Sequence, residues 1–304
     1  MATREELNKD IHDEIEYEEK KDKRKKIAKK IFKVLIIIFI TVLSFLLYNY
    51  YVTTNGLMVN EKRIVENNIP DSFNGCKIIH FSDLHYGSNV FMKEVTELVN
   101  KVNETHPDII VFTGDLIEKN YKIKTEEKEN LIKNLKKLDA DIGKYAVNGD
   151  EDNNSFNTIL TQADFTVLDN NYDLVYKDIN NPILITGLSS KNTDINRAFN
   201  YYTDDKNNKD IFNILIMHEP DNIDKIKNKY NVNIAFSGGN LNGMIYIPKI
   251  GGLVTRENAK KYTKPYYKIN NTSLFISSGV ATDNIGIRLF TRQSINFIRL
   301  AKEK

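Results

Sequence analysis

Short apolar runs separated by helical patterns make up most of the chain after residue 76. The runs predict buried parallel strands, and they cover residues 77–81, 108–112, 144–147 and 211–217. Apolar residues recur at helical spacing between the first two runs and again before the third; they are Phe91, Val95, Leu98, Val99 and Val102, then Leu131, Ile132, Leu135 and Leu138. We therefore expect strand–helix–strand units with right-handed crossovers, which belong to the α/β class.

A different apolar pattern occupies the N-terminal region. Residues 34–48 are almost entirely apolar, and no charged residue occurs after them until Glu61. This stretch is long enough to span a hydrocarbon core of about 30 Å. Nine Lys or Arg and one acid, Asp22, precede it in residues 20–33, so the positive-inside rule predicts a cytoplasmic N-terminus and an extracytoplasmic C-terminal domain.

These boundaries divide the chain into four parts. We expect a charged cytoplasmic tail over 1–30, a transmembrane anchor over 31–52, a linker with a first edge strand over 53–75, and a folded domain over 76–304. A cleaved signal peptide is the alternative for the apolar run. The charged region before the run exceeds thirty residues and no Ala-x-Ala-like site comes after it, so the sequence favours a single-pass membrane anchor.

Composition narrows the choice of partners and compartments. The 304 residues carry a formal net charge of +2, and the basic cluster is explained by membrane topology, so we expect no nucleic-acid partner. The cluster is suited to anionic lipid, which makes membrane lipid a predicted partner through the anchor. The chain has 1 Cys, which excludes an intrachain disulfide.

Polar residues lie immediately after the predicted strands, at the points where those strands end. Asp83 comes after the first run, Asp115 after the second, the segment 148–152 after the third, and His218 after the fourth. Ligands of open α/β sheets bind beyond the carboxyl ends of the strands. Carboxylates and imidazoles together suit Mn, Fe or Zn, so this edge is a predicted metal site.

Four motifs in this order resemble those of a known family. They read Ser82-Asp-Leu-His85, Thr113-Gly-Asp-Leu116, Asn148-Gly-Asp-Glu-Asp152 and Met217-His-Glu-Pro220. The chain resembles the calcineurin-like metallophosphoesterases, particularly their membrane-anchored bacterial branch, over roughly residues 76 to 300. That family's pattern is Asp-x-His, Gly-Asp, Gly-Asn-His-Asp/Glu, a lone His and Gly-His-x-His. The segments 277–280 and 287–290 look like the family's closing strands.

The resemblance implies a fold and a ligand set. The fold is a four-layer sandwich of two mixed β-sheets flanked by helices. Asp83 and His85 would hold one divalent ion, Asp150 and His218 another, and Asp115 would bridge them. The implied cofactors are Mn, Zn or Fe, one or two ions, bound weakly or absent.

Several departures from the family pattern bear on catalysis. Glu151 stands where the family has its catalytic histidine, and Asp150 replaces a ligand asparagine. Gly239 and Leu241 replace both histidines of Gly-His-x-His. Glu151 is thus the one predicted catalytic residue, as proton donor, and Asn240 and Asn242 are possible weak ligands.

This pattern leads to two alternative functions. The first is a metal-dependent hydrolase of phosphate esters or pyrophosphates, with impaired catalysis, acting on a phosphorylated small molecule or envelope component. The second is a pseudoenzyme that binds an envelope ligand or protein partner without hydrolysis.

Overall fold

The chain divides into two units, Met1–Tyr51 and Val52–Lys304. The computed structural model describes residues 4–53, 56–204, 210–240, 246–247, 251–252, 256–281, 288 and 291–303.

The N-terminal unit is helical. Helix α1 covers Arg4–Thr53. Within the described residues, its portion His12–Tyr48 is long and apolar enough to cross a membrane. The apolar side chains of this portion are exposed, as at Phe39 and Leu43, which suits a helix surrounded by lipid.

The first sheet of the second unit carries the motifs of the N-terminal half. Its strands are β1 Met58–Glu66, β2 Lys77–Phe81, β3 Ile109–Phe112, β4 Gly143–Ala146, β5 Thr166–Val167 and β14 Ser294–Lys302. They lie in the order β1-β14-β2-β3-β4-β5. β14 is antiparallel to β2, and the other neighbours are parallel. The strand β1 therefore lies at an edge, within the segment where the sequence predicts an edge strand.

The second sheet is also mixed. Its strands are β6 Asn171–Val175, β7 Ile183–Leu188, β8 Asn213–Met217, β9 Ile234–Ser237, β12 Tyr266–Ile269 and β13 Thr272–Ile276. They lie in the order β12-β13-β9-β8-β7-β6, with β6 and β12 antiparallel to their neighbours and the rest parallel. A short antiparallel pair is formed by β10 Tyr246–Ile247 and β11 Gly251–Gly252.

Three apolar clusters stack these elements into four layers. The helices are α2 Met92–Asn103, α3 Thr125–Lys136, α4 Ser155–Gln162, α5 Ile195–Ala198, α6 Tyr201–Asp204 and α7 Ile223–Ile226. Alternation along β2 sends Ile79 and Phe81 to the cluster shared with α2, α3 and α4, and Ile78 to the cluster between the sheets. A third cluster joins the second sheet to α5 and α7. This confirms the predicted four-layer α/β sandwich.

The C-terminal segments differ from the sequence-based expectation. Residues 277–280 are not a strand, and of 287–290 only Arg288 lies within the described residues. The closing strand is β14, further along the chain. Residues 280 and 281 instead donate backbone hydrogen bonds to the carbonyls of Ser82 and Asp83, at 3.1 and 2.9 Å. Hydrogen bonding to an irregular loop satisfies this backbone without a regular ladder.

Candidate metal centre

The loops after β2, β3, β4 and β8 meet at one edge of the sandwich. The loop after β2 is bonded to the loop after β3: the Asp83 N–H donates to the Gly114 carbonyl at 2.9 Å, and the His85 N–H donates to the Asp115 carbonyl at 3.0 Å. Because β2 and β3 are parallel neighbours, their carboxyl ends lie side by side. The topology therefore brings the first two motifs together.

The backbone of these loops is unusual. Asp83, His85 and Asp115 have φ values of 53°, 41° and 57°, in the left-handed region that side chains other than glycine rarely adopt. Strain of this kind costs on the order of 1–3 kcal/mol per residue and is maintained only where surrounding contacts fix it. Here it turns three polar side chains toward one point.

Asp115 is the centre of this arrangement. Its Oδ1 accepts a hydrogen bond from the Glu151 N–H at 3.1 Å. Its Oδ2 lies 3.6 Å from Nε2 of His85 and 3.2 Å from Nε2 of His218. The side chain is fully buried. One carboxylate oxygen therefore faces both imidazoles at once.

Two groups of three possible ligands share Asp115. In each group the ligand atoms lie within 4.8 Å of one another; the groups are Asp83, His85 and Asp115, and Asp115, Asp150 and His218. The structure thus brings together all five residues that the resemblance implies as ligands. Four of them are buried, whereas the side chain of Asp150 is 59% exposed.

Each imidazole has an oxygen near its far ring nitrogen, but among the described residues only that of His218 makes a hydrogen bond. Nδ1 of His218 lies against the Thr113 carbonyl, and because a carbonyl only accepts, Nδ1 carries the proton. Nδ1 of His85 lies 3.2 Å from Oε2 of Glu118. In each ring Nε2 faces the carboxylates, so loss of its proton would leave a lone pair directed at a metal ion.

The buried donor atoms fit a divalent ion. Among the described residues, Oδ1 of Asp83, Nε2 of His85, Oδ2 of Asp115 and Nε2 of His218 have no hydrogen-bond partner. Buried polar atoms without partners are costly, and convergence of four at one point requires an explanation. Carboxylate oxygens and imidazole nitrogens are ligands for Mn, Fe or Zn. The residues present therefore fit the implied cofactor.

The pKa values of side chains in the centre are shifted because carboxylates and imidazoles lie close together in a buried site. Burial by itself lowers the pKa of His85, but the carboxylates of Asp83 and Asp115 outweigh it and raise that pKa to about 9. The pKa of His218 is raised for similar reasons, chiefly by Asp115 against burial. A hydrogen bond to His218 lowers the pKa of Asp150. Metal binding must displace protons from both rings, so it competes with acid.

Glu151 lies on the His85 side of the centre. Its Oε2 is 3.6 Å from Nδ1 of His85, and its side chain is 21% exposed. Burial, and then the nearby Asp115, raise the pKa of Glu151 above its ordinary value. The geometry places this carboxyl beside the candidate ligands, and its role as proton donor stays a prediction.

The sequence-based interpretation missed two residues of the centre, Glu118 and Arg256. Glu118 lies only three residues after Asp115. This closeness to a predicted ligand was the signal by which the sequence could have identified it. Nη1 of Arg256 lies 3.6 Å from Oδ2 of Asp115 and 3.6 Å from Oε1 of Glu151. Burial lowers the pKa of Arg256, but Asp83, Glu151, Asp115 and Asp150 raise it overall. Arg256 is not part of any motif, so only the fold identifies it.

Asp152 supports the centre by accepting hydrogen bonds from the backbone of the loops that carry the candidate ligands. Its carboxylate accepts hydrogen bonds from the backbone N–H groups of Asp115, Leu116 and Gly149, each at 2.8 Å. Gly149 allows the close approach, because a Cβ there would lie 2.1 Å from Oδ1 of Asp115. The acidic loop is thus packed into the site.

The segment that replaces the family's Gly-His-x-His motif contains Gly239 and the two possible weak ligands, Asn240 and Asn242. Gly239 donates its N–H to Oδ2 of Asp83 at 3.2 Å. Asn240 is buried; its Nδ2 donates to the Tyr262 carbonyl at 2.9 Å, and its Oδ1 has no partner among the described residues. A ligand role for Asn240 stays a prediction. Asn242 lies outside the described residues.

Comparisons with known proteins agree with this geometry. Residues 76–240 match the family model described as calcineurin-like phosphoesterase. The chain is 28% identical over 261 residues to the uncharacterized metallophosphoesterase YkuE of Bacillus subtilis, covering 83% of this chain and 88% of that protein.

Two other relatives match over shorter stretches. One is the transmembrane protein with metallophosphoesterase domain of Danio rerio, 29% identical over 28% of this chain and 18% of that protein. The other is the UDP-2,3-diacylglucosamine pyrophosphatase LpxG of Chlamydia trachomatis, 34% identical over 34% of this chain and 32% of that protein.

Proposed function

Since the chain belongs to the calcineurin-like phosphoesterase family, we propose that it is a membrane-anchored, metal-dependent hydrolase of phosphate esters or pyrophosphates. The observation that carries this proposal is the convergence of four buried atoms, one each from Asp83, His85, Asp115 and His218, that have no hydrogen-bond partner in the part of the chain that the structure describes. Nε2 of His85 and Nε2 of His218 lie 3.6 and 3.2 Å from Oδ2 of Asp115, close enough for ion pairing but without a well-formed hydrogen bond. Their orientation toward a common point supports a metal centre.

The residues of the centre have separate roles in this proposal. Asp83 and His85 hold one side, Asp150 and His218 hold the other, and Asp115 joins them. These residues would hold a divalent ion, which when bound would supply acidification of water and charge neutralisation at a phosphoryl group. The Thr113 carbonyl keeps the His218 imidazole turned so that Nε2 faces inward, and Glu118 lies 3.2 Å from Nδ1 of His85.

Glu151 is the proposed proton donor to the leaving oxygen. Its raised pKa keeps it protonated to a higher pH than an exposed glutamate. A positioned general acid typically contributes 10²–10⁴-fold to the rate. A carboxyl is less well matched than the family's histidine to donate near neutral pH, so we expect slow catalysis.

The proposed substrate is a phosphorylated compound of the cell envelope. The relative named a UDP-2,3-diacylglucosamine pyrophosphatase supports an amphiphilic pyrophosphate as one class. The apolar helix and the relative named a transmembrane protein support attachment to a membrane. The nine basic residues within 20–33 support a cytoplasmic N-terminus, with the folded domain on the outer side.

Topology is tested with C-terminal fusions. Alkaline phosphatase fused after Lys304 should be active and green fluorescent protein should be dark, because the former folds outside the cytoplasm and the latter inside. The reverse result would contradict the proposed orientation.

The metal centre is tested on the full chain in detergent. The protein is loaded with Mn²⁺ or Zn²⁺, desalted, and its metal content measured by mass spectrometry. Wild type is compared with Asp115→Asn and with the control Asp169→Asn, which alters an exposed carboxylate. At least one equivalent, lost only in Asp115→Asn, together with hydrolysis of bis(p-nitrophenyl) phosphate lost in the same variant, supports the proposal.

A binding protein without hydrolysis is the second candidate. It is favoured by Gly239, which stands where the family has a ligand histidine and whose N–H hydrogen-bonds Oδ2 of Asp83. Retained metal with no hydrolysis of phosphodiesters or pyrophosphates would favour this candidate. Absence of bound metal from wild type would contradict the metal-dependent hydrolase.

A further inference from the structure

Arg256 brings a permanent positive charge into the centre. Its Nη1 is buried and has no hydrogen-bond partner among the described residues, although the side chain as a whole is 30% exposed. The guanidinium therefore reaches inward from the surface. Its charge does not depend on pH in the range where proteins fold.

The position of this charge coincides with the shared carboxylate. Oδ2 of Asp115 is the atom that His85 and His218 both face, and Nη1 of Arg256 lies 3.6 Å from it. The same nitrogen lies 3.6 Å from Glu151. Arg256 thus neutralises part of the negative charge that would otherwise attract cations to the Asp115 and Glu151 side of the centre.

Arg256 is also too far from Asp115 and Glu151 for a direct hydrogen bond to either carboxylate. Charge-assisted hydrogen bonds between guanidinium and carboxylate are typically about 2.7–2.9 Å long. At 3.6 Å the Arg256 nitrogen lies beside the two carboxylates without a direct hydrogen bond to either. Without that hydrogen bond Oδ2 of Asp115 is not taken up by Arg256, but two dications together would be repelled by the guanidinium at short range.

The number of side chains that could bind metal also favours one bound ion over two. Gly239 has no side chain that could bind a metal ion, and its backbone N–H donates a hydrogen bond to Oδ2 of Asp83. The two candidate groups that share Asp115 therefore have three side chains each, and a third group, His85, Glu118 and Glu151, shares His85 with the first. Fewer ligands and a fixed cation together disfavour double occupancy.

We propose that Arg256 takes the electrostatic place of a second metal ion, so that this centre binds one divalent ion. This inference rests on the proposed metal centre and specifies its stoichiometry. The guanidinium balances part of the charge of Asp115 and Glu151, and the single ion is held by the candidate ligands that include Asp115.

The test measures metal stoichiometry, independently of catalysis. Full-length protein in detergent is titrated with Mn²⁺ by calorimetry, and bound Mn is counted by mass spectrometry after desalting. Wild type should bind one equivalent. Arg256→Gln should bind a second equivalent at least about tenfold more tightly than wild type does, because the repelling charge is gone.

Two further variants make the result specific. Arg256→Lys retains a positive charge and should still bind one equivalent. Arg197→Gln, at an exposed position, should behave as wild type. Thermal melting of each variant verifies folding, and Arg256→Lys keeps the proposal testable should Arg256→Gln fail to fold.

Each outcome separates this inference from the proposed function. Two equivalents in wild type, lost in Asp115→Asn, would leave the metal centre intact and overturn the role of Arg256. Equal stoichiometry and affinity in wild type and Arg256→Gln would overturn it as well. No bound metal in wild type would contradict both proposals.

Discussion

Asp152 and Asp115 are joined by a hydrogen bond from the backbone N–H of Asp115 to Oδ2 of Asp152, at 2.8 Å. Two further N–H groups, of Leu116 and Gly149, donate to the same carboxylate. This single side chain therefore fixes the loop after β3 against the loop after β4. Because Asp115 has a positive φ, its orientation depends on such support.

Removing this carboxylate should destabilise the fold and disturb the centre. Hydrogen bonds to charged groups are worth about 1.5–3 kcal/mol each, and buried donors left unpaired add a penalty. We expect Asp152→Ala to lower the free energy of unfolding by about 3 kcal/mol or more in urea titrations. Asp139→Asn, at an exposed position, is the control. A loss below about 0.5 kcal/mol would show that the three bonds are not needed.

Because His80 is a buried histidine, we expect the free energy of unfolding to depend on pH. It is fully buried in β2, with Nε2 2.9 Å from Oγ1 of Thr113 and Nδ1 3.1 Å from Nδ2 of Asn296. Burial lowers its pKa from 6.5 to about 3. Between these values the unfolded chain binds a proton that the folded chain does not, so stability decreases as pH falls from 6.5 toward 3.

The slope from this one group approaches about 1.4 kcal/mol per pH unit once pH is well below the ordinary histidine pKa of about 6.5. His80→Gln should reduce the pH slope of the unfolding free energy by up to one proton, whereas His106→Gln, on the surface, should leave the slope unchanged. Equal slopes for wild type and His80→Gln would contradict a buried neutral imidazole.

Glu118 is expected to control metal affinity without binding metal itself. Its Oε2 lies 3.2 Å from Nδ1 of His85, so a proton on Nδ1 would be attracted to this carboxylate when Nε2 binds metal. Loss of such a partner typically costs 10–100-fold in metal affinity. We expect Glu118→Gln to weaken Mn²⁺ binding by on the order of tenfold in calorimetry, with Glu129→Gln, an exposed position, as control. Unchanged affinity would mean that His85 is oriented by other contacts.

Cys76 should be unreactive in the folded protein. It is fully buried, and burial, with Asp108 nearby, raises its pKa to about 12. At pH 8 the thiolate fraction is then only about 10⁻⁴. N-ethylmaleimide should leave the native chain unmodified and label one thiol per chain in guanidinium, as counted by mass spectrometry. Rapid labelling of the native protein would contradict the packing around β2.

The α/β fold and most of the centre were predictable because both depend on local order in the chain. Apolar runs predicted β2, β3, β4 and β8, and parallel strands bring the residues at their carboxyl ends to one edge of a sheet. Asp83, His85, Asp115, Asp150 and His218 come together for this reason. The prediction of closing strands at 277–280 and 287–290 was wrong for the first segment, because the strand that completes the sheet is β14.

The rest required the tertiary structure. The sequence did not indicate a supporting role for Asp152, because its three backbone donors come from two different loops. Arg256 is distant in sequence from every motif and reaches Asp115 only after the sheets have packed. Sequence periodicity reports which face of an element is buried, so it located the strands and the residues at their ends. Burial, ring orientation and the charge balance around Asp115 depend on contacts between distant segments, and the packing of the four layers decided them.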